Sequence, residues 1–472
     1  MKTLYERLEA YGKSDYYGFH MPGHKRNPVF GKEMLPYQID ITEIEGFDDL
    51  HHAEGILKDA QARASRLYQS GETHFLINGS TVGILSAVLG CTKRGDQILM
   101  ARNCHKSVYH AVYLQELSPV YIYPEYLQEE QINGEIDAGE IEHILDRNPE
   151  IRAVILVSPT YDGVLSDIGR IADIVHRRKI PLIVDEAHGA HFGFGEAFPK
   201  NSNVLGADIV IHSLHKTLPS MTQTALLHMN GTIVNRERVR RYLHMLQSSS
   251  PSYVLMASMD TCMELLEKEG AQLFREYADR LQRFRRETAG LKRLKLVQTE
   301  HFDPSKLILS TAGTGWSGKE VAKILLERYH LQMEMQADHY VLAMTSICDT
   351  EEGFDRLKSA LHDIDSLMED KVNTDSCSRI QRLPRPEQIY NSSCTERKAE
   401  ESGTEILSWK ESIGKVSVEY AYLYPPGIPF LVPGERIDQS IIECLLYYKM
   451  MGFAIEGLKE TDCIEVLKER GK

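Results

Sequence analysis

The stretch that decides the fold is "ADIVIHSLHKTL", residues 207–218. It runs from an apolar segment straight into Ser213, His215 and Lys216. Buried strands of parallel sheets have such continuous apolar runs, and their carboxyl ends border the ligand-binding crevice of α/β proteins. Lys216 is therefore either a solvated cation, as most lysines are, or a reactive amine at a binding site.

Further apolar segments of strand length surround this stretch. Between about residues 55 and 230 they include "DQILMA" (96–101), "AVILVSP" (153–159) and "PLIVDEA" (181–187). Polar segments with helical periodicity, such as "DIGRIADIVHRRK" (167–179), separate most of them. Strands that alternate with helices predict an α/β fold whose mostly parallel sheet is covered on both faces.

The remaining segments divide the chain into four predicted parts. Residues 1–54 form an N-terminal arm and substrate-entrance segment, and residues 55–290 form the large domain with charged linking helices. Residues 291–375 form a small α+β domain. A Pro- and Ser-rich stretch leads into a C-terminal domain over residues 376–472.

The composition is that of a soluble globular protein. Apolar residues make up 42% and charged residues 26% of the 472. No apolar run approaches the roughly 18 residues of a membrane span, and the N-terminus lacks a secretory h-region. A net charge of −14 argues against nucleic acid as the main partner. The eight cysteines contain no C-x-x-C pair, so we expect reduced thiols in a cytoplasmic protein, and we assign no metal site.

Three strand ends carry groups that bind ligands. After "THFLING" (73–79), Gly79 permits a tight turn, and Ser80 and Thr81 open a helix, which indicates either an anion site or a plain capping turn. Asp185 ends an apolar strand, where a carboxylate needs a cationic or hydrogen-bonding partner unless it only caps the next helix. Lys216 lies 31 residues beyond Asp185.

The order of these groups predicts pyridoxal 5'-phosphate as the cofactor. This cofactor needs a phosphate cradle, a carboxylate for its pyridine nitrogen and a lysine for its aldehyde. Ser213 and His215 can donate hydrogen bonds to the phosphate, and Lys216 is the predicted cofactor-binding lysine. His105, in "ARNCHKSVYHA" (101–111), is placed to stack on the pyridine ring, and a histidine that only caps a helix is the alternative.

Several motifs together resemble the bacterial Orn/Lys/Arg decarboxylase family, pyridoxal phosphate enzymes of the aspartate-aminotransferase fold (fold type I). The resemblance covers nearly the whole chain and favours the shorter Gram-positive members, which lack a wing domain. The motifs include "FHMPGHKRN" (19–27), "DITEIEGFDDLHHAEG" (40–55), "SPTYDGV" (158–164), "VDEAHGAHFGF" (184–194), "QSSSPSY" (247–253) and "YPPGIPFLVPGE" (424–435).

The resemblance implies a role for each candidate residue. Lys216 carries the cofactor, and Asp185 pairs with its pyridine nitrogen. His105 stacks on one face of the ring, and Ala187 packs near the other. His188 lies close to the phenolic oxygen or to Asp185. The residues implied to hold the phosphate are Gly79, Ser80, Thr81, Ser213 and His215, together with Ser248 or Ser249 of a neighbouring subunit.

The implied reaction is decarboxylation of a basic L-amino acid (arginine, lysine or ornithine) to the amine and CO₂ in polyamine biosynthesis. An aminotransferase would use much of the same machinery, but it usually clamps the α-carboxylate with an arginine of the small domain. The predicted counterpart strand, "YVLAMTSI" (340–347), contains no arginine. A non-catalytic binding protein of this fold is the third alternative, and the intact lysine, aspartate and histidine set argues against it.

The distal cation of a basic substrate needs an acidic partner. Glu43, Asp48 and Asp49 are candidates, although a salt-bridged surface turn explains this acidic cluster equally well. His20 and His24 are further candidate substrate contacts. We expect a homo-oligomer, at least a dimer with shared active sites, and neither a nucleic acid nor a membrane partner.

Overall fold

The computed structural model describes residues 14–19, 23, 25, 40–368, 384–423 and 427–468. Its strands up to residue 230 are β1 (Tyr17–Phe19), β2 (Glu72–Leu76), β3 (Gln97–Ala101), β4 (Ser118–Ile122), β5 (Tyr126–Leu127), β6 (Ile132–Asn133), β7 (Ile151–Val157), β8 (Leu182–Asp185), β9 (Ile209–His212) and β10 (Ala225–Met229). The later strands are β11 (Lys295–Val297), β12 (Lys306–Ser310), β13 (Leu331–Met333), β14 (Met335–Gln336), β15 (Tyr340–Met344), β16 (Thr404–Ser408), β17 (Ala421–Leu423), β18 (Ile428–Leu431), β19 (Ile455–Glu456) and β20 (Cys463–Leu467).

Helices occur between the strands along most of the described chain. They are Leu50–His52 (a 3₁₀ turn), Ile56–Tyr68, Gly79–Cys91, Lys106–Leu114, Ala138–Arg147, Ile168–His176, Leu214–Thr217, Arg236–Leu246, Tyr253–Thr288, Gly318–Tyr329, Glu351–Leu367, Ser392–Ser402 and Gln439–Met450. Within the described residues, none combines the length and apolar character needed to span a lipid bilayer.

A seven-stranded sheet forms the centre of the fold, in the order β2-β10-β9-β8-β7-β3-β4. The pairs of neighbouring strands from β9 to β4 are parallel, and β10 is antiparallel to both of its neighbours. Every residue of β8 and β9 is buried, as their continuous apolar runs require. The prediction of an α/β fold with a mostly parallel sheet is confirmed.

Two glycines bring the helix Gly79–Cys91 close to its neighbours. A Cβ atom at Gly83 would lie 2.7 Å from Leu76 Cδ1, and one at Gly90 would lie 2.6 Å from Val239 Cγ2. The helix is apolar on nearly all sides and is buried between the sheet and the helix Arg236–Leu246. Its N-terminus is thereby fixed at the carboxyl edge of the sheet.

A second sheet and a C-terminal unit complete the fold. The second sheet is antiparallel in the order β11-β12-β15-β14, and the C-terminal strands form two small sheets, β16-β20 and β18-β17-β19. The fully buried ion pair between Arg102 Nη2 and Glu435 Oε2, 3.0 Å apart, links the end of β3 to the segment after β18. The four domain boundaries given above remain predictions.

Candidate active site

A cavity of about 520 Å³ lies beyond the carboxyl ends of the central strands. The large sheet, the segment 335–340 and the C-terminal unit all contribute to its lining. Ten residues predicted from the sequence face it: Gly79, Ser80, Thr81, His105, Asp185, Ala187, His188, Ser213, His215 and Lys216. A larger cleft of about 950 Å³, beside the helix Ile56–Tyr68, contains none of these ten.

Lys216 lies on the short helix Leu214–Thr217, directly after β9. Its Nζ is 2.9 Å from His188 Nε2. Burial lowers the pKa of Lys216, and the carboxylates of Asp185 and Glu334 oppose that shift. The environment therefore favours the neutral, nucleophilic amine more than water does.

Asp185 is the last residue of β8, and its side chain is almost inaccessible to solvent. The backbone N–H of Ala187 donates to Asp185 Oδ1 over 3.2 Å. Burial raises the pKa of this carboxyl, while the nearby Lys216 opposes the shift. A protonated ring nitrogen facing Asp185 would supply the cation that stabilises its charged form.

The groups around Gly79 and Ser213 suit an anion. Gly79 begins its helix at a φ of +73°, a left-handed conformation that favours glycine. The Asn78 side chain makes no cap hydrogen bond with the helix, and the first turn contains no acidic residue. Neither of these usual partners therefore neutralises the positive N-terminal end of the helix dipole. Ser213 Oγ is buried and has no hydrogen-bond partner among the described residues. A phosphate group would supply the missing acceptor.

His105 combines the two roles that its sequence position left open. It is the N-cap of the helix Lys106–Leu114, where its Nδ1 accepts the N–H of Ser107 over 3.2 Å, and its ring also lines the cavity. Burial and, next, the charge of Lys216 lower its pKa to about 3, so the ring is neutral. A neutral imidazole can stack on a pyridine ring.

His215 also lines the cavity, but one of its nitrogens is already engaged. Its Nδ1 lies 3.0 Å from the carbonyl oxygen of Thr224, which can only accept. In the neutral ring, Nε2 is then an acceptor, and it can donate to a phosphate only after gaining a second proton. The role of His215 at the phosphate remains a prediction.

The structure does not bring Ser248 and Ser249 to this cavity. Both are exposed, and the backbone N–H of Ser248 lies 3.4 Å from Asn78 Oδ1, beside the start of the helix Gly79–Cys91. The carbonyl oxygen of Ser248 accepts a hydrogen bond from His51 Nε2 over 2.9 Å. That one of these serines reaches a neighbouring subunit remains a prediction.

The acidic turn of residues 40–49 uses its carboxylates in local hydrogen bonds. The Asp48 carboxylate accepts backbone N–H groups from four residues: Asp49, Glu54, Gly55 and Leu57. Asp49 caps the turn Leu50–His52, and Glu43 is exposed. None of the three acidic candidates lines the cavity, and His20 and His24 lie outside the described residues. Their contact with substrate remains a prediction.

Several residues with no role in the sequence analysis also face the site. The Tyr161 ring packs against the His188 ring with centroids 4.7 Å apart, and its hydroxyl donates to Glu334. "SPTYDG" follows β7 at the same sheet edge as Asp185, so its position could have revealed it. Lys306, whose Nζ is 3.5 Å from His188 Nδ1, begins a strand of the other sheet, and no local pattern marks it.

Two further carboxylates, Asp162 and Asp338, line the cavity. The Tyr340 hydroxyl donates to Asp162 Oδ1 over 2.6 Å, and burial raises the pKa of Asp162. Asp338 accepts a hydrogen bond from Tyr447, which belongs to the C-terminal helix Gln439–Met450. More than a hundred residues separate the members of each pair, which is why sequence reasoning missed them.

Comparison with known proteins identifies the family. The model of the Orn/Lys/Arg decarboxylase major domain matches residues 2–320, and that of the family's C-terminal domain matches residues 376–461. The chain belongs to the Orn/Lys/Arg decarboxylase family. The resemblance stated from the motifs is thereby confirmed, and the protein is a pyridoxal-phosphate-dependent decarboxylase.

Individual relatives match this decarboxylase along its length. It is 34% identical to the protein YaaO of Bacillus subtilis and 31% identical to the arginine decarboxylase of the same organism, in both cases over 99% of this chain and 98% of the relative. The lysine decarboxylase LdcF of Francisella novicida superposes with a TM-score of 0.79 at 22% identity, over 98% of this chain and 80% of that one. The decarboxylase thus has the fold-type I architecture that aminotransferases share.

Proposed function

We propose that this decarboxylase binds pyridoxal 5'-phosphate at the cavity around Lys216 and removes the α-carboxylate of a basic L-amino acid, as a step of polyamine biosynthesis. The observation that carries the proposal is the meeting of a lysine amine, a buried carboxylate and an anion cradle in one cavity. When bound, this cofactor supplies an electron sink for the bond that breaks.

Each part of the cavity has a distinct task in holding the cofactor. Lys216 would bind its aldehyde carbon, and Asp185 would keep a proton on its ring nitrogen. His105 would stack on the ring. Ser213 Oγ and the helix N-terminus at Gly79, Ser80 and Thr81 would hold the phosphate.

The protein must also return a proton to the α-carbon after CO₂ has left. Lys216 Nζ and His188 Nε2 lie 2.9 Å apart, and both residues line the cavity. They can exchange a proton directly, and Lys216 would return it to the α-carbon. The remaining task of the site is to hold the carboxylate where its bond can break.

The wall of the cavity favours loss of CO₂ over transfer of the amino group. Among the described residues that line it, none is an arginine, so the bidentate clamp that would stabilise an α-carboxylate is missing there. Leu423, Ile428, Phe430 and Phe453 instead present apolar surface. A carboxylate next to such surface loses hydration, and neutral CO₂ does not need that hydration.

The charge of the cavity favours a basic substrate. Asp162 and Asp338 give it two carboxylates in addition to Asp185. A distal ammonium or guanidinium group would compensate their charge, and Asp338 is the more accessible of the two. Because a relative of 31% identity is an arginine decarboxylase, arginine is our first candidate, followed by lysine and ornithine.

The experiment uses the purified protein with pyridoxal phosphate and each of arginine, lysine and ornithine. Mass spectrometry identifies the amine that forms. We expect agmatine from arginine, or cadaverine or putrescine from the other two. Turnover of only a neutral or acidic amino acid would overturn the basic-substrate proposal. Transfer of the amino group to a keto acid would establish an aminotransferase instead.

A further inference from the structure

A second buried lysine lies behind His188. Lys306 is the first residue of β12, and its side chain is fully buried. Its Nζ lies 3.5 Å from His188 Nδ1, while Lys216 Nζ lies 2.9 Å from His188 Nε2. The imidazole of His188 therefore has one lysine at each ring nitrogen.

The hydrogen atoms of this triad are restricted by chemistry. A neutral imidazole carries a proton on one nitrogen and a lone pair on the other, and a lysine ammonium group can only donate. Burial is the largest cause of a pKa for His188 well below its ordinary value, so the ring is neutral. Both lysines cannot donate to one neutral ring, and one of them must accept as a neutral amine.

The surroundings of Lys306 favour its charged form. Lys306 faces Asp303, a fully buried carboxylate that accepts hydrogen bonds from the Ser305 hydroxyl over 2.7 Å and its backbone N–H over 3.0 Å. Burial lowers the pKa of Lys306 to about 8, and the carboxylates of Asp303 and Glu334 limit that shift. Lys306 is therefore still mostly protonated at neutral pH.

We propose that Lys306 is a positioning residue that fixes the tautomer of His188 and keeps the amine of Lys216 neutral. Its ammonium donates to His188 Nδ1. The ring then presents its Nε2–H to Lys216, whose lone pair accepts that hydrogen and can attack an aldehyde carbon. The inference rests on the proposed function only in treating Lys216 as the cofactor-binding amine.

The packing around the triad holds this arrangement. Tyr161 covers the His188 ring, and a Cβ atom at Gly163 would lie 2.7 Å from Lys306 Cγ, so the loop after β7 fits closely over the lysine stem. Other titratable and charged groups also act on the triad: His105 and His215 at His188, Asp162, Asp303, Glu334 and Lys25 at Lys306, and His105, Asp185 and Glu334 at Lys216.

The test measures the pKa of Lys216 in the full-length protein after removal of the cofactor. Trace acetic anhydride labels neutral amines, and mass spectrometry of the Lys216 peptide gives the labelling rate against pH. The variants are Lys306→Met, which keeps the buried stem, and Lys306→Arg, which keeps a cationic donor. Lys295→Met, an exposed position on the adjacent strand β11, is the matched control.

We expect the labelling profile of Lys216 to shift upward by about one pH unit in Lys306→Met, because a nearby positive charge is removed. The Arg variant and the Lys295 control should keep the wild-type profile. Unchanged profiles in a folded Lys306→Met protein would overturn the proposal, as would an equal shift in the Arg variant.

A second measurement needs no variant at position 306. Nitrogen-15 spectra of the wild-type protein, with His188 assigned by comparison with His188→Gln, report the tautomer directly. A protonated Nε2 is expected, and a protonated Nδ1 would contradict the proposal. If the wild-type enzyme decarboxylates no basic amino acid while the labelling profile shifts as expected, the proposed function fails and the role of Lys306 stands.

Discussion

At the scale of single residues, burial sets the charges in the cavity. It raises the pKa of Asp185 and lowers those of Lys216 and His188, with the charged neighbours of each modifying the shift. Each group is thereby brought closer to its neutral form than it would be in water. A cofactor with both a ring nitrogen and an aldehyde would bind Asp185 through the nitrogen and Lys216 through the aldehyde.

Lys216→Ala removes the only amine placed in the cavity among the described lining residues. We expect the variant to lose decarboxylation and the visible absorbance that lysine-bound pyridoxal phosphate gives. Absorbance spectra and amine production measure the two losses. Normal turnover in this variant would refute the assignment of Lys216.

Asp185→Asn replaces the buried carboxylate with a neutral amide of similar shape. Because an amide cannot balance a protonated ring nitrogen, we expect kcat to fall by about 10²–10³-fold at saturating cofactor, a loss typical of one removed electrostatic group. The visible absorbance should be partly retained. Steady-state kinetics check the first expectation, and a kcat near that of wild type would exclude this role for Asp185.

Asp338→Asn tests the recognition of the distal cation. We expect a KM for arginine at least about tenfold higher with kcat little changed, because a contact made equally in the ground and transition states is lost. Asp355→Asn, on the exposed side of the helix Glu351–Leu367, is the control and should match wild type. An unchanged KM would show that Asp338 does not recognise the substrate. It would leave the proposed roles of Lys216 and Asp185 unaffected.

At the scale of elements, the sequence predicted the site wherever a functional residue ends a buried strand. Asp185 and the group from Ser213 to Lys216 follow the apolar runs of β8 and β9, and parallel strands bring such ends together. The acidic turn at Asp48 could not be interpreted in this way, because its carboxylate is used by nearby backbone N–H groups. Asp338 and Tyr447 meet only through tertiary structure, and no periodicity in the chain relates them.

Gly79 gives an element-scale test of the anion cradle. Its φ of +73° is costly for a residue with a Cβ atom, and its nearest non-neighbour contact would be at 3.9 Å, so the cost of Gly79→Ala is conformational and not steric. We expect about a 1 kcal/mol loss of stability together with weaker binding of pyridoxal phosphate. Thermal unfolding and cofactor titration measure both quantities. Binding equal to wild type would show that this turn does not hold the phosphate.

At the scale of the whole molecule, three parts of the fold meet at one cavity. The ion pair of Arg102 and Glu435 fixes the C-terminal unit against the large sheet, and the guanidinium also lies 4.8 Å from the ring centroid of Tyr121. The apolar surface of Leu423, Ile428, Phe430 and Phe453 in this cavity comes from the C-terminal unit. We therefore expect that a variant in which the C-terminal unit no longer packs on the large sheet also loses activity.

Arg102→Met leaves the buried Glu435 carboxylate without its cation. We expect a loss of roughly 3–5 kcal/mol in unfolding free energy, the usual consequence of breaking a buried pair by removing one partner. The double variant Arg102→Met/Glu435→Gln should recover part of that loss. Chemical denaturation of the single and double variants gives both values, and additive losses would mean that the two charges are not coupled.

We also expect at least a homodimer, as the family resemblance implies. Light scattering of the holoenzyme should give a mass of at least twice the 53.7 kDa of the chain. A monomer with full activity would contradict this expectation. It would also remove the proposed contribution of Ser248 or Ser249 to a neighbouring site.

The buried ion pair has a consequence for synthesis on the ribosome. Arg102 and Glu435 are 333 residues apart in the chain. At the usual elongation rates, the arginine waits on the order of tens of seconds before its partner has been translated. During that interval the nascent large domain has an unpaired charge and an unfinished cavity wall. We therefore expect the growing polypeptide to be most exposed to chaperones and proteases during this interval.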